Sequence, residues 1–123
     1  MRLNRRARRD TQSVPEKTLL VATDRPTVTI ETELDTPSGW EFEVRVVQRG
    51  RGVRTLTLRM SWADFDHWSG GASPPSTVAQ AVVELAIERK ADAANLGDFD
   101  AAMLRRWFPG ADAALQSKLQ RSR

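Results

Sequence analysis

Cysteine and tyrosine are both absent from this 123-residue chain, and histidine occurs once, at His67. Without cysteine there can be no disulfide, no thiol nucleophile and no zinc site built on thiolates, and a single histidine cannot form a paired-histidine metal motif. Long apolar runs are missing as well. No stretch reaches the roughly 20 residues that a helix needs to cross a bilayer, and the charged N-terminus leads into no hydrophobic signal region, so neither membrane insertion nor secretion is expected. A Walker loop, a dinucleotide-binding glycine pattern and a nucleophile elbow are also lacking. These absences point away from an enzyme and imply no cofactor, and a cysteine-free chain suits the reducing cytoplasm.

What is present suffices for one folded unit. Apolar residues make up 40% of the chain, with four Trp and four Phe, enough for a single core without covalent staples. The net charge of +3 is unevenly spread. Residues 1–18 hold Arg2, Arg5, Arg6, Arg8, Arg9 and Lys17 against Asp10 and Glu16, and residues 117–123 add Lys118, Arg121 and Arg123; the 98 residues between carry ten cations and fourteen anions. The ends are basic and the body is mildly acidic, so the basic character is not that of a groove on the domain. Residues 1–18 are therefore expected to be a disordered basic arm, residues 19–120 a single α+β domain, and residues 121–123 a basic tail.

The chain is organised around the stretch from Trp40 to Trp62. Apolar and polar residues alternate in Trp40-Glu41-Phe42-Glu43-Val44-Arg45-Val46 and again in Leu56-Thr57-Leu58-Arg59-Met60-Ser61-Trp62, with Gly50 and Gly52 between them. That pattern is a β-hairpin with one buried face. The expected register sets Val46 on Leu56, Val44 on Leu58, Phe42 on Met60 and Trp40 on Trp62, with Glu43 across from Arg59. In that register Trp62 is a core residue, and Trp62→Ala should cost about 3 to 5 kcal/mol.

The stretch 27–34 alternates too, placing Val28, Ile30, Thr32 and Leu34 on one side, and Asp35-Thr36-Pro37-Ser38-Gly39 is a turn signal. Pairing Leu34 with Phe42 sets Glu31 on Arg45 and avoids opposed glutamates. The outer face then collects Glu31, Glu33, Glu41 and Glu43 beside Arg45 and Arg59, either as a solvated face or as a docking face for a basic partner. Upstream, Leu19-Leu20-Val21-Ala22 is a short apolar patch that either forms an edge strand or docks on the core. The architecture expected is a three-stranded antiparallel meander (about 27–34, 40–48 and 53–62) packed by a long helix (about 74–90) and two short C-terminal helices (about 98–107 and 111–120).

Ser61 and Asp64 have capping-box spacing, which predicts a helical turn through Trp68 before Gly70. Asp64, Asp66 and His67 make this the chemically richest segment, yet residues one or two apart do not face each other on a helix. Capping and turn roles account for the aspartates, and no catalytic or metal residue is assigned. Ser73-Pro74-Pro75-Ser76 starts the long helix with Ser73 or Ser76 as cap. Its stripe of Val78, Val82, Leu85 and Ala86, widened by Ala79, Val83 and Ile87, is expected to cover the sheet. Asp98 is expected to cap a helix in which Phe99, Met103 and Trp107 share one face, and Ala111, Leu115 and Leu119 support the last helix.

The order of a Trp40-x-Phe42-x-Val44 strand, a second strand, the Ser73-Pro74-Pro75 helix start and Trp107-Phe108-Pro109-Gly110 resembles small prokaryotic hypothetical proteins over residues 40–115. The resemblance implies the fold and no activity. Two functions fit the chain. One is a small interaction or adaptor module that binds a protein partner or its own copy through Trp62, Phe65, Trp68, Trp107 and Phe108. The other is a nucleic-acid-associated protein that holds RNA or DNA through Arg2, Arg5, Arg6, Arg8 and Arg9, which can neutralise phosphates, whereas the plain reading of that arm is a solvated tail.

Overall fold

The computed structural model describes residues 26–90 and 96–122. The basic arm, the apolar patch at 19–22 and the tail residue Arg123 lie outside the described residues. Strands β1 (Thr27–Thr36), β2 (Gly39–Gln48) and β3 (Gly52–Ser61) form the expected antiparallel meander, and a two-residue strand β4 (Phe99–Asp100) joins it in parallel beside β3, giving the order β1-β2-β3-β4. Helix α1 (Trp62–Ser69) follows β3 directly, and α2 (Pro75–Arg89) is the long helix. After β4 come a 3-10 turn (Ala101–Met103), α3 (Leu104–Trp107) and α4 (Ala111–Ser122). The result is a mixed α+β fold whose core lies between the buried face of the sheet and the helices.

Alternation does on β2 what it promised: Phe42, Val44 and Val46 are fully buried while Glu43, Arg45 and Val47 are exposed. The register differs from the expected one by two residues. Trp40 pairs with Met60, Phe42 with Leu58, Val44 with Leu56 and Glu41 with Arg59, so Trp62 has no strand partner and begins α1 instead. A tighter turn is the reason. Gln48 already pairs with Gly52, the Arg51 N–H donates to the Gln48 carbonyl at 2.9 Å, and Gly50 takes a φ of 79°, a left-handed conformation that L side chains rarely adopt.

The β1–β2 register differs in a more consequential way. Thr27 to Ile30 pair with Val47 to Val44, then a β-bulge at Glu31 shifts the ladder so that Thr32 faces Glu43, Glu33 faces Phe42 and Leu34 faces Glu41. One extra residue inverts every side chain that follows it. Leu34 therefore turns outward with 60% of its surface exposed, where alternation alone placed it beside Ile30. Glu33 moves the opposite way, into register with Phe42, and Glu31 does not meet Arg45, which pairs with Thr29. At the other end of β2, Gly39 is buried against β3, and a Cβ there would collide with the Met60 carbonyl oxygen.

Helix α2 buries Val78, Ala79, Val82, Val83, Leu85, Ala86 and Ile87, its expected stripe, and Ala81 besides. Each fully buried Val or Leu among them contributes roughly 1.5 to 3 kcal/mol. Its cap is Pro74, with no side-chain hydrogen bond, so neither Ser73 nor Ser76 has the capping role assigned from sequence. Pro75 occupies the first turn, where the lost N–H has no helical partner anyway. The helix from Asp98 is also different. Phe99 is in β4 and lies against Trp107 with ring centroids 5.1 Å apart, while the Asp98 carboxylate accepts the Thr57 N–H at 2.7 Å and Asp100 caps the 3-10 turn. Leu104, Leu115 and Leu119 complete the core from α3 and α4.

Candidate functional site

Two regions carry more chemistry than packing requires. The first joins α1, α3 and α4. The Ser61 hydroxyl accepts the Asp64 N–H at 3.1 Å, so the expected N-cap forms and sets the Asp64 carboxylate at the first turn of α1. That carboxylate meets Arg105 rather than closing a capping box. Arg105 Nη1 lies 2.9 Å from Asp64 Oδ1, its Nε lies 2.9 Å from Asp112 Oδ1, and its guanidinium carbon sits 5.0 Å from the Trp68 ring centre. The Trp68 indole N–H also donates to Asp112 Oδ1 at 2.7 Å, and His67 Nε2 lies 3.8 Å from Asp112 Oδ2.

The titration of this cluster follows from its contacts. The Trp68 hydrogen bond above all holds the Asp112 carboxyl below its ordinary pKa; burial opposes this, and Arg105 and His67 add to it. Burial works against the charge of Arg105, but the hydrogen bonds and attraction of Asp64 and then Asp112 outweigh it and raise the pKa. Arg105 Nη1 and Nε and the Trp68 indole N–H each face a carboxylate oxygen from another helix. The cluster fastens three helices together. Among the described residues, no group of three or more His, Asp or Glu side chains is arranged to hold a metal ion, and no helix is long and apolar enough to cross a membrane.

The aromatic residues singled out from sequence do not form one exposed patch. Trp62 is 53% exposed, but Trp68 is buried and Phe65 packs edge-on against Trp40 at 5.0 Å. Trp107 and Phe108 are half-buried at the end of α3 beneath the cations that close α2: Lys90 Nζ is 5.0 Å from the Trp107 ring centre and the Arg89 guanidinium is 5.8 Å from that of Phe108. Arg2, Arg5, Arg6, Arg8 and Arg9 lie outside the described residues.

The second region is the outer face of the sheet, which no described element covers. Among the described residues, three of the four exposed large aliphatic or aromatic side chains are on it: Leu34, Val47 and Val53. Val47 and Val53 are directly opposed and share a row with Thr27, where the chain enters the sheet. At the far end a depression of about 310 Å³ is bordered by Thr32, Glu33, Leu34, Glu41, Glu43 and Thr57. Glu41 lies 3.6 Å from Arg59, whereas Glu43 makes no ion pair among the described residues; Glu33 and Asp35, in register with Phe42 and Trp40, fall on the other side of the sheet. Sequence reading found the glutamates of this region but missed its aliphatics. The signal was there for Val47 and Val53, whose odd numbers put them in step with Glu43 and Arg45; for Leu34 the bulge removed it.

The fold and this face define the molecule as an α+β domain with a one-sided sheet. Compared with known proteins, the chain matches no family model, no curated protein and no solved structure.

Proposed function

We propose that this protein is a small protein-interaction module and that its open sheet face is the binding surface. The observation that carries the reading is the set of exposed aliphatics, Leu34, Val47 and Val53, beside Glu43, which makes no ion pair among the described residues. Antiparallel sheets often turn one side to water, but that side then alternates to polar residues, and apolar side chains there mark a contact surface. The outward rows set Glu41 and Glu43 beside Arg45 and Arg59, so the partner this face fits has an apolar centre ringed by charges of both signs. A cysteine-free chain suits action in the reducing cytoplasm.

The test is capture by the full chain, by a face variant carrying Leu34→Lys and Val53→Lys, and by an Ala113→Lys control on the helical side. A bound protein retained by the control and lost by the face variant supports the reading. Identical captured sets overturn it. Sedimentation of the same three proteins over a concentration series shows whether the partner is a second copy of the chain.

A second reading rests on the five arginines within the first nine residues. Such an arm can bind polyanions with an affinity that falls steeply with salt. Anisotropy titrations of mixed-sequence RNA and duplex DNA at two salt concentrations, with the arm arginines intact or changed to Gln, test it. Salt-sensitive binding that needs the arginines supports a nucleic-acid role, and its absence dismisses one.

A further inference from the structure

The outward rows of the sheet are complementary to one another end for end. One inner row is Thr29, Arg45 and Thr55, and the other is Thr32, Glu43 and Thr57. Each sets a charge on the central strand between two threonines, and the two charges are of opposite sign. The bulge at Glu31 completes the match, since it brings Thr32 beside Glu43. The outer rows put exposed aliphatic surface at both ends, Val47 and Val53 beside Thr27 at one and Leu34 beside Glu41 and Arg59 at the other. Glu41 and Arg59, 3.6 Å apart, already neutralise each other, whereas neither Glu43 nor Arg45 makes an ion pair among the described residues.

A two-fold contact uses the same patch on both copies, so the patch must complement itself. When the axis lies in the interface and runs across the strands, the central strands stack antiparallel and each inner row meets the other. Arg45 then lies over Glu43 of the second copy and Glu43 over its Arg45, while Thr29 meets Thr32 and Thr55 meets Thr57. At the ends Leu34 comes beside Val47, and the aliphatic stem of Arg59 lies on Val53. An axis along the strands would instead stack Glu43 on Glu43 and Arg45 on Arg45, and this repulsion at the centre excludes it. Stacked sheets lie about 10 Å apart, a gap that an arginine and a glutamate side chain bridge together.

We infer that this protein forms a two-fold dimer through its open sheet face, with the strands antiparallel and Glu43 of each copy paired to Arg45 of the other. This rests on the reading of that face as the binding surface and names the partner as a second copy. Taking the two ion pairs out of water offsets much of their attraction, so they fix the orientation of the copies while the aliphatic side chains supply affinity. At the usual strand spacing and rise the face measures about 14 by 30 Å, or about 400 Å² in plan, against about 800 Å² per partner in a standard interface. The dimer is therefore weak and exchanges with monomer.

Charge reversal supplies the test. Made separately in the full chain, Glu43→Arg and Arg45→Glu each put like charges at the centre of the homodimer, and each should weaken self-association at least about tenfold in sedimentation over a series reaching about 1 mM. Mixed together, the two variants should associate as well as wild type, because every central contact again joins opposite charges. Both changes in one chain should restore the homodimer. Misfolding would not be rescued by mixing. A measurement that needs no variant is the dilution of isotope-labelled wild type, in which the amide signals of Thr29, Thr32, Thr55 and Thr57 should move together. Wild type that stays monomeric, dilution shifts centred on the helical layer, or a mixture no better than its parts overturns the inference. Monomeric wild type with capture of another protein that is lost in the Leu34→Lys and Val53→Lys variant sinks this inference alone. Self-association and capture that are both indifferent to that variant sink the interaction reading as well.

Discussion

The indole N–H of Trp68 donates to Oδ1 of Asp112 at 2.7 Å, joining side chains 44 residues apart and fixing α1 to the start of α4. Trp68 is buried, so its N–H has little access to water if the acceptor is removed. Asp112→Ala should therefore lower stability by about 1 kcal/mol, the low end for an orphaned donor, because Asp112 itself is partly exposed. Asp112→Asn keeps an acceptor oxygen and should cost less. Urea unfolding checks both, with a lower midpoint and an unchanged slope expected for Asp112→Ala.

The same carboxylate makes a directional prediction for acid. Its pKa in the folded protein is held below its ordinary value near 3.8, first by Trp68 and then by Arg105. The unfolded chain therefore binds this proton more readily than the folded one. The resulting stabilisation is complete above the ordinary value and is lost as pH falls through the depressed folded value. Unfolding midpoints measured from neutral pH downward should show wild type and Asp112→Asn converging at the acid end. A constant gap between them at every pH would mean that the charge of Asp112 does not matter.

Core burden falls on Phe42 rather than Trp62. Phe42 is fully buried opposite Leu58, whereas Trp62 stands half exposed at the start of α1. Phe42→Ala should cost about 3 to 5 kcal/mol, the usual range for a buried aromatic. Trp62→Ala should change stability by only about 0.5 kcal/mol, as surface substitutions do. Equal losses for the two in thermal or urea unfolding would contradict the observed register.

Gly39 is required by closeness. Its missing side chain lets β3 approach, and an added Cβ would run into the Met60 carbonyl oxygen and stand 2.8 Å from the Ser61 Cα, both of them backbone that cannot swing aside. Gly39→Ala should destabilise by at least the roughly 1 to 3 kcal/mol typical of overpacking. Gly97, where an added Cβ meets nothing within 4 Å, is the matched control. Hydrogen exchange should show faster opening of the β2–β3 ladder in Gly39→Ala and not in Gly97→Ala.

The sequence by itself determined the faces of this protein. Alternation in β2 and β3 names the buried side of each strand, and the spacing of Val78, Val82, Leu85 and Ala86 names the buried side of α2, because the periods of strand and helix are local properties of the backbone. The Ser61–Asp64 cap was legible for the same reason, as both partners lie within one helical turn.

Tertiary structure decided what those periods leave open. A ladder displaced by two residues keeps every face, so alternation could not separate Trp40 on Met60 from Trp40 on Trp62, and the turn at Gly50 made the choice. One bulged residue at Glu31 turned Leu34 from the core to the open face. Phe99 left its helical stripe because pairing beside Leu58 satisfies backbone groups that only a neighbouring strand can reach. Arg105 found Asp64 from 41 residues away, a contact with no trace in local spacing, since it exists only once α1, α3 and α4 have packed on the sheet and brought their charges together.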